Sequence, residues 1–157
     1  MAVESFTLTA NTSAQTAYNE MYVIRAADLT ETTVDTAQTI ALRTVKLGTA
    51  VEACGMYLVT TFKDASDAAF NTTTLTVGET DVDRFLTSTE LNVNGTEVLS
   101  KSTANAVDTL PYDFVAADTI DAVFTPMSGK ALNDIDTGTL IILLRITEKA
   151  DLARGIT

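Results

Sequence analysis

Apolar and polar positions alternate with a period of two along most of this chain. That period places successive side chains on opposite faces of a strand. Phe6 and Leu8 alternate with polar residues over 5–9, and 21–26 forms a second candidate strand. Over 39–46, Ile40 and Leu42 oppose Ala41 and Arg43. Residues 51–63 are apolar on both faces, which predicts a central strand covered on both sides. Further strands are expected over 71–77, 110–115 and 119–125, and the strongest over 139–147. Asn94-Gly95 between apolar residues predicts a hairpin turn. The segment 81–91 stands apart. It carries Val82, Phe85 and Leu86 at helical spacing, with Thr80 or Asp81 as N-cap, and is expected to be a short helix. Residues 126–136 read as a loop.

About eight to ten short strands at roughly ten-residue spacing predict an all-β, antiparallel sandwich of jelly-roll type with one short helix. Composition strengthens this expectation. Threonine occurs 29 times, with Val and Ile also common, and such side chains fit a pleated surface. The length of 157 residues and the absence of a linker or composition shift suit a single domain over 1–157. Two facing sheets would let the first and last strands lie side by side. An N-terminal arm (1–11) and a more polar C-terminal tail (148–157) are expected to extend from the sandwich.

Charge and residue chemistry narrow the function. The net charge is −11, so neither nucleic acid nor an anionic membrane surface is an expected partner. The segment Met1-Ala2-Val3-Glu4-Ser5-Phe6-Thr7 has neither the basic nor the apolar region of a signal peptide, so synthesis in the cytoplasm without such export is expected. Histidine is absent, which removes Ser-His-Asp and Cys-His catalysis and histidine zinc sites. The lone cysteine, Cys54, lies in an apolar stretch and reads as a core residue. The glycines are isolated, so no phosphate-binding loop is present. Two acidic loops, Glu79 with Asp81 and Asp83 and Asn133 with Asp134 and Asp136, offer oxygen ligands for calcium, but neither has the ligand series of an EF-hand. Solvated turn residues are the simpler reading. Neither an enzyme nor a cofactor is expected.

Several segments resemble small cement proteins of tailed phages. These are Phe6-Thr7-Leu8-Thr9, then Val23-Ile24-Arg25-Ala26-Ala27-Asp28-Leu29-Thr30 and Ala37-Gln38-Thr39-Ile40-Ala41-Leu42. They continue with Leu75-Thr76-Val77-Gly78-Glu79-Thr80-Asp81, Arg84-Phe85-Leu86, and Thr139-Leu140-Ile141-Ile142-Leu143-Leu144-Arg145-Ile146. The likeness is one of style and order over most of the chain and contains no specific motif.

The resemblance implies a β-sandwich decorating the outside of a capsid in the virion. It would bind the major capsid protein, form a homodimer or homotrimer, and stabilise contacts between capsomers. Candidate contact residues lie at the termini: Phe6 and Leu8 in the arm, Lys149 and Arg154 in the tail. Termini beside sheet edges can add a strand to a neighbour. The alternative is a head-fibre or tail adhesin that binds host glycans, which requires a groove with clustered aromatics or a bound cation.

Overall fold

The computed structural model describes residues 3–7, 18–93, 97–100 and 110–149, with backbone alone at 6–7 and 97–100. It is an all-β, two-sheet sandwich. The strands are β1 (Glu4–Thr7), β2 (Glu20–Arg25), β3 (Gln38–Val45), β4 (Thr49–Lys63), β5 (Thr74–Gly78), β6 (Leu86–Glu90), β7 (Glu97–Ser100), β8 (Tyr112–Asp113), β9 (Asp118–Thr125) and β10 (Thr137–Glu148). One sheet has the order β1-β2-β10-β4-β7, with β8 also pairing β4. The other has the order β3-β9-β5-β6. The strand pairs are antiparallel. The last strand, β10, lies beside β2, so β2 separates it from β1.

Alternation decides which side chains enter the core. In β10, Leu140, Ile142, Leu144 and Ile146 are buried while their neighbours are not. In β2, Tyr22 and Ile24 are buried, and from the second sheet Leu75, Val77, Ile120, Ala122 and Phe124 meet them in one cluster. Phe62 and Phe124 bridge the two sheets, with ring centroids 6.1 Å apart. Asn19 extends the ladder before β2 begins. Its side-chain amide donates to the Ile146 carbonyl at 2.6 Å and accepts the Ile146 N–H at 2.8 Å, as a peptide group would.

The expected central strand 51–63 is β4, flanked by β10 on one side and by β7 and β8 on the other. Its first half is buried on both faces, but Tyr57 and Val59 emerge to solvent. Cys54 is fully buried, and burial pushes its thiol pKa up to about 12. The Asn94-Gly95 turn lies outside the described residues.

The short helix expected over 81–91 is not there. A tight turn follows β5, and Leu86–Glu90 pairs with β5 as β6. Three apolar residues at helical spacing make a weak nucleus. The β-branched Thr87 and Thr89 and the open edge of β5 outweigh it. Gly78 permits the turn, since a Cβ there would lie 2.0 Å from the Asp81 carbonyl oxygen. Among the described residues, complete helical elements are the 3-10 turns at Ala26–Asp28 and Leu132–Asp134.

Candidate functional site

The two long sides of the sandwich are closed differently. At the β8 and β6 side, Phe85, Tyr112 and Phe114 form an aromatic cluster with centroid separations of 5.2 to 6.2 Å. The Arg84 guanidinium lies 4.6 Å from the centre of the Tyr112 ring. At the other side, edge strands β1 and β3 face one another across an open seam. Two adjoining hollows of about 470 and 430 Å³ run along β3 and share Ser5, Tyr22 and Leu42.

The seam follows from strand alternation at an edge. Gln38, Ile40 and Leu42 point inward from β3, but with no further strand beyond β3 among the described residues they are only half-buried. Val3, Ser5 and Tyr22 face them from the other sheet. Gln38 fastens one end: its side-chain oxygen accepts the N–H groups of Thr30 and Glu31, and its amide donates to the Asp28 carbonyl. Arg43 fastens the other, where its guanidinium pairs with Glu20 and donates to Glu148 at 2.5 Å. The Tyr22 hydroxyl donates to Glu20 at 2.5 Å, and burial raises its pKa to about 12, so it stays a donor. Lys46 stands exposed at the mouth. The result is an elongated groove with mainly polar walls around Tyr22, Ile40 and Leu42, hydrogen-bonding ends and a strand edge along its floor. It is shaped for an extended peptide, which can pair with a free edge and place alternate side chains in the groove.

The sequence candidates are distributed unevenly. Phe6 lies in edge strand β1, its Cα opposite that of Met21. Leu8 and Arg154 lie outside the described residues. Lys149 follows the end of β10, where its ammonium is held by both Asp113 carboxylate oxygens at 2.6 Å. Met21 pairs with Leu143, six residues from Lys149, so Phe6 and Lys149 stand roughly 20 Å apart along the strand direction. The structure does not bring these two together. Tyr22, Leu42, Arg43, Glu20 and Glu148 carry the seam and were not singled out from the sequence.

The acidic loops have protein partners. The Glu79 carboxylate accepts the Thr80 N–H and pairs with Arg84. Asp136 accepts the Ala65 N–H at 3.0 Å. Among the described residues there is no group of three His, Cys, Asp or Glu side chains placed to hold a metal ion. Nor is any described helix long and apolar enough to cross a membrane. No family model, curated protein or solved structure matches the chain.

Proposed function

We propose that this is a structural virion protein: a cement, or decoration, protein on the outside of a tailed-phage capsid that stabilises contacts between capsomers. The observation that carries the reading is the open seam between β1 and β3, which fits an extended segment of the major capsid protein. The segment-by-segment likeness to cement proteins supports it from the sequence side. The strand order supports the finer jelly-roll reading, because β2-β10-β4-β7 and β3-β9-β5-β6 are two interleaved four-strand sheets to which β1 adds an edge.

The mechanism is physical. The sandwich is already ordered, so binding a strand requires ordering of the incoming segment alone. Several copies on one shell, or one oligomer engaging neighbouring capsomers, gain further through effective concentration. No chemical step is involved, and localisation on the virion follows from assembly inside the host. The glycan-binding adhesin is the weaker reading. Among the described residues, Tyr22 is the aromatic that lines the seam, and Phe85 and Phe114 are buried in the core instead of being displayed for stacking.

The test is to mix the purified protein with expanded phage heads that lack it, then follow co-sedimentation and the disruption temperature of the shells. Stoichiometric binding with a raised disruption temperature is expected. Leu42→Asp, at a half-buried seam position, should remain folded and lose that binding. Failure of the wild type to bind any head, or equal binding by a folded Leu42→Asp, refutes the proposal.

A further inference from the structure

The two borders of the seam run the same way. β1 is antiparallel to β2, from Glu4 opposite Val23 to Thr7 opposite Glu20. β3 begins at Gln38, in the hollow that also holds Val3 and Asp28. It ends beside Lys46, in the hollow that also holds Glu20 and Glu148. Both strands therefore start at the Asp28 end and finish at the Glu20 end. Each lies at the border of its sheet among the described strands. Every second residue of a border strand turns its N–H and C=O away from its one partner, free to pair. Facing sheets lie about 10 Å apart and a paired strand about 4.8 Å from its neighbour, so one strand fits between two such borders. Because β1 and β3 share a direction, a strand antiparallel to one is antiparallel to the other. It can pair on both sides and join the two sheets. The opposite sense would make two parallel ladders, which are less stable per residue and absent among the described pairs.

The charges along the seam differ from end to end. At the Glu20 end, the cations Arg43 and Lys46 balance the anions Glu20 and Glu148. At the other end Asp28 is the charged residue among those that line the hollow, and no cation lines it. Asp28 is half-buried, and one of its carboxylate oxygens accepts the Arg25 N–H at 2.9 Å. Arg25 itself is paired with Glu4. A segment lying in the seam therefore meets a balanced site at one end and an anion at the other. On a chain whose net charge is −11, a basic side chain is the complement to that anion and is also favoured during approach. Arg43 crosses the seam at the Glu20 end, so the paired stretch lies between Arg43 and Gln38 and is about five residues long.

We infer that the segment taken up by the seam runs antiparallel to both β1 and β3, entering with its N-terminal end beside Lys46 and setting a basic side chain at its C-terminal end over Asp28. This rests on the reading of the seam as a strand receptor and adds the direction and the charge of what it receives. The probe is a synthetic peptide of about eight residues, Thr and Val in alternation with a lysine at the C-terminal end and both termini blocked. It is added at about 1 mM to the isotope-labelled chain, with a nitroxide on one end or the other. The N-terminal nitroxide should broaden the amide signals of Thr44 and Lys46 most, and the C-terminal one those of Asp28 and Thr30. The opposite assignment overturns the inference and leaves the seam a strand receptor. Labels that broaden no seam amide refute the seam reading, and this inference with it. Asp28→Asn keeps the oxygen that accepts the Arg25 N–H and removes the charge. It should weaken the lysine peptide about threefold and leave a peptide ending in threonine unchanged. A folded Asp28→Asn that binds the lysine peptide as the wild type does overturns the basic end.

Discussion

Replacing Glu79 with Gln tests how the far side of the sandwich is held shut. The Glu79 side chain is 5% exposed and that of Arg84 is 19% exposed, so the pair is largely removed from water. Arg84 in turn sits over Tyr112, which packs on Phe85 and Phe114. Glutamine keeps the shape and one acceptor oxygen but turns a charge-assisted bond into a neutral one and leaves Arg84 with less compensation. The difference between those two kinds of hydrogen bond is about 1 kcal/mol, and the poorly compensated cation adds about as much again, discounted for the water that reaches Arg84. A loss of about 2 kcal/mol lowers Tm by about 4–8 °C in a domain of this size. The pH dependence provides a second check. Burial alone raises the Glu79 pKa, but Arg84 and the Thr80 N–H outweigh it and hold the carboxyl below its ordinary value. The folded pKa is therefore below the unfolded one, so the stabilisation is present in full above the unfolded pKa of about 4.3 and is lost as pH falls through the folded pKa. Calorimetry from pH 7 downward should show the gap between wild type and Glu79→Gln narrowing in acid. A gap below about 1 °C at pH 7, or one that does not change with pH, refutes the reasoning.

Three further outcomes are expected. Gly138→Ala should lower the unfolding free energy in urea titration by about 2 kcal/mol, because Gly138 has φ +149° and a Cβ would lie 2.6 Å from the Phe62 ring. Asn19→Ala should lower it by about 1 kcal/mol, since water only partly replaces the two bonds to Ile146. At pH 8 Cys54 should resist a thiol reagent in the native protein and react once urea unfolds it, because it is buried and its pKa is about 12.

The fold was legible where one periodicity dominated over a long run. The strands at 39–46, 119–125 and 139–147 correspond to β3, β9 and β10, and the two-sided burial of 53–56 follows from the apolar run Ala53-Cys54-Gly55-Met56. The helix expected at 81–91 failed for a tertiary reason: an open edge on β5 offered pairing that a three-residue pattern does not encode. The seam was hidden for a different reason. Ile40 and Leu42 look in sequence like any inward pair, and only the sheet order reveals that β3 has one neighbour among the described strands. Arg43 gave no local signal either, because its two carboxylates come from residues 20 and 148.

An open seam is a hazard as well as a binding site, since a free edge can recruit another copy's strand without limit. Two features of β3 bear on this. The register with β9 shifts between Ala41 and Arg43, so a bulge interrupts the strand midway and disfavours a flat, continuous ladder. Arg43, drawn across the gap to Glu20 and Glu148, narrows that end of the groove. An arbitrary strand would have to follow the bulge and also displace a partly buried ion pair. A matched segment follows the bulge and leaves the pair in place. This separates indiscriminate strand addition from specific docking, and it accounts for the charged trio of Glu20, Arg43 and Glu148 at one end of a groove whose middle is lined by Ile40 and Leu42. Arg43→Ala should therefore remove selectivity before it removes binding: the variant should self-associate through β3 and gain mass with rising concentration beyond any discrete oligomer. A variant that keeps the wild-type mass at every concentration would mean that Arg43 does not guard the edge.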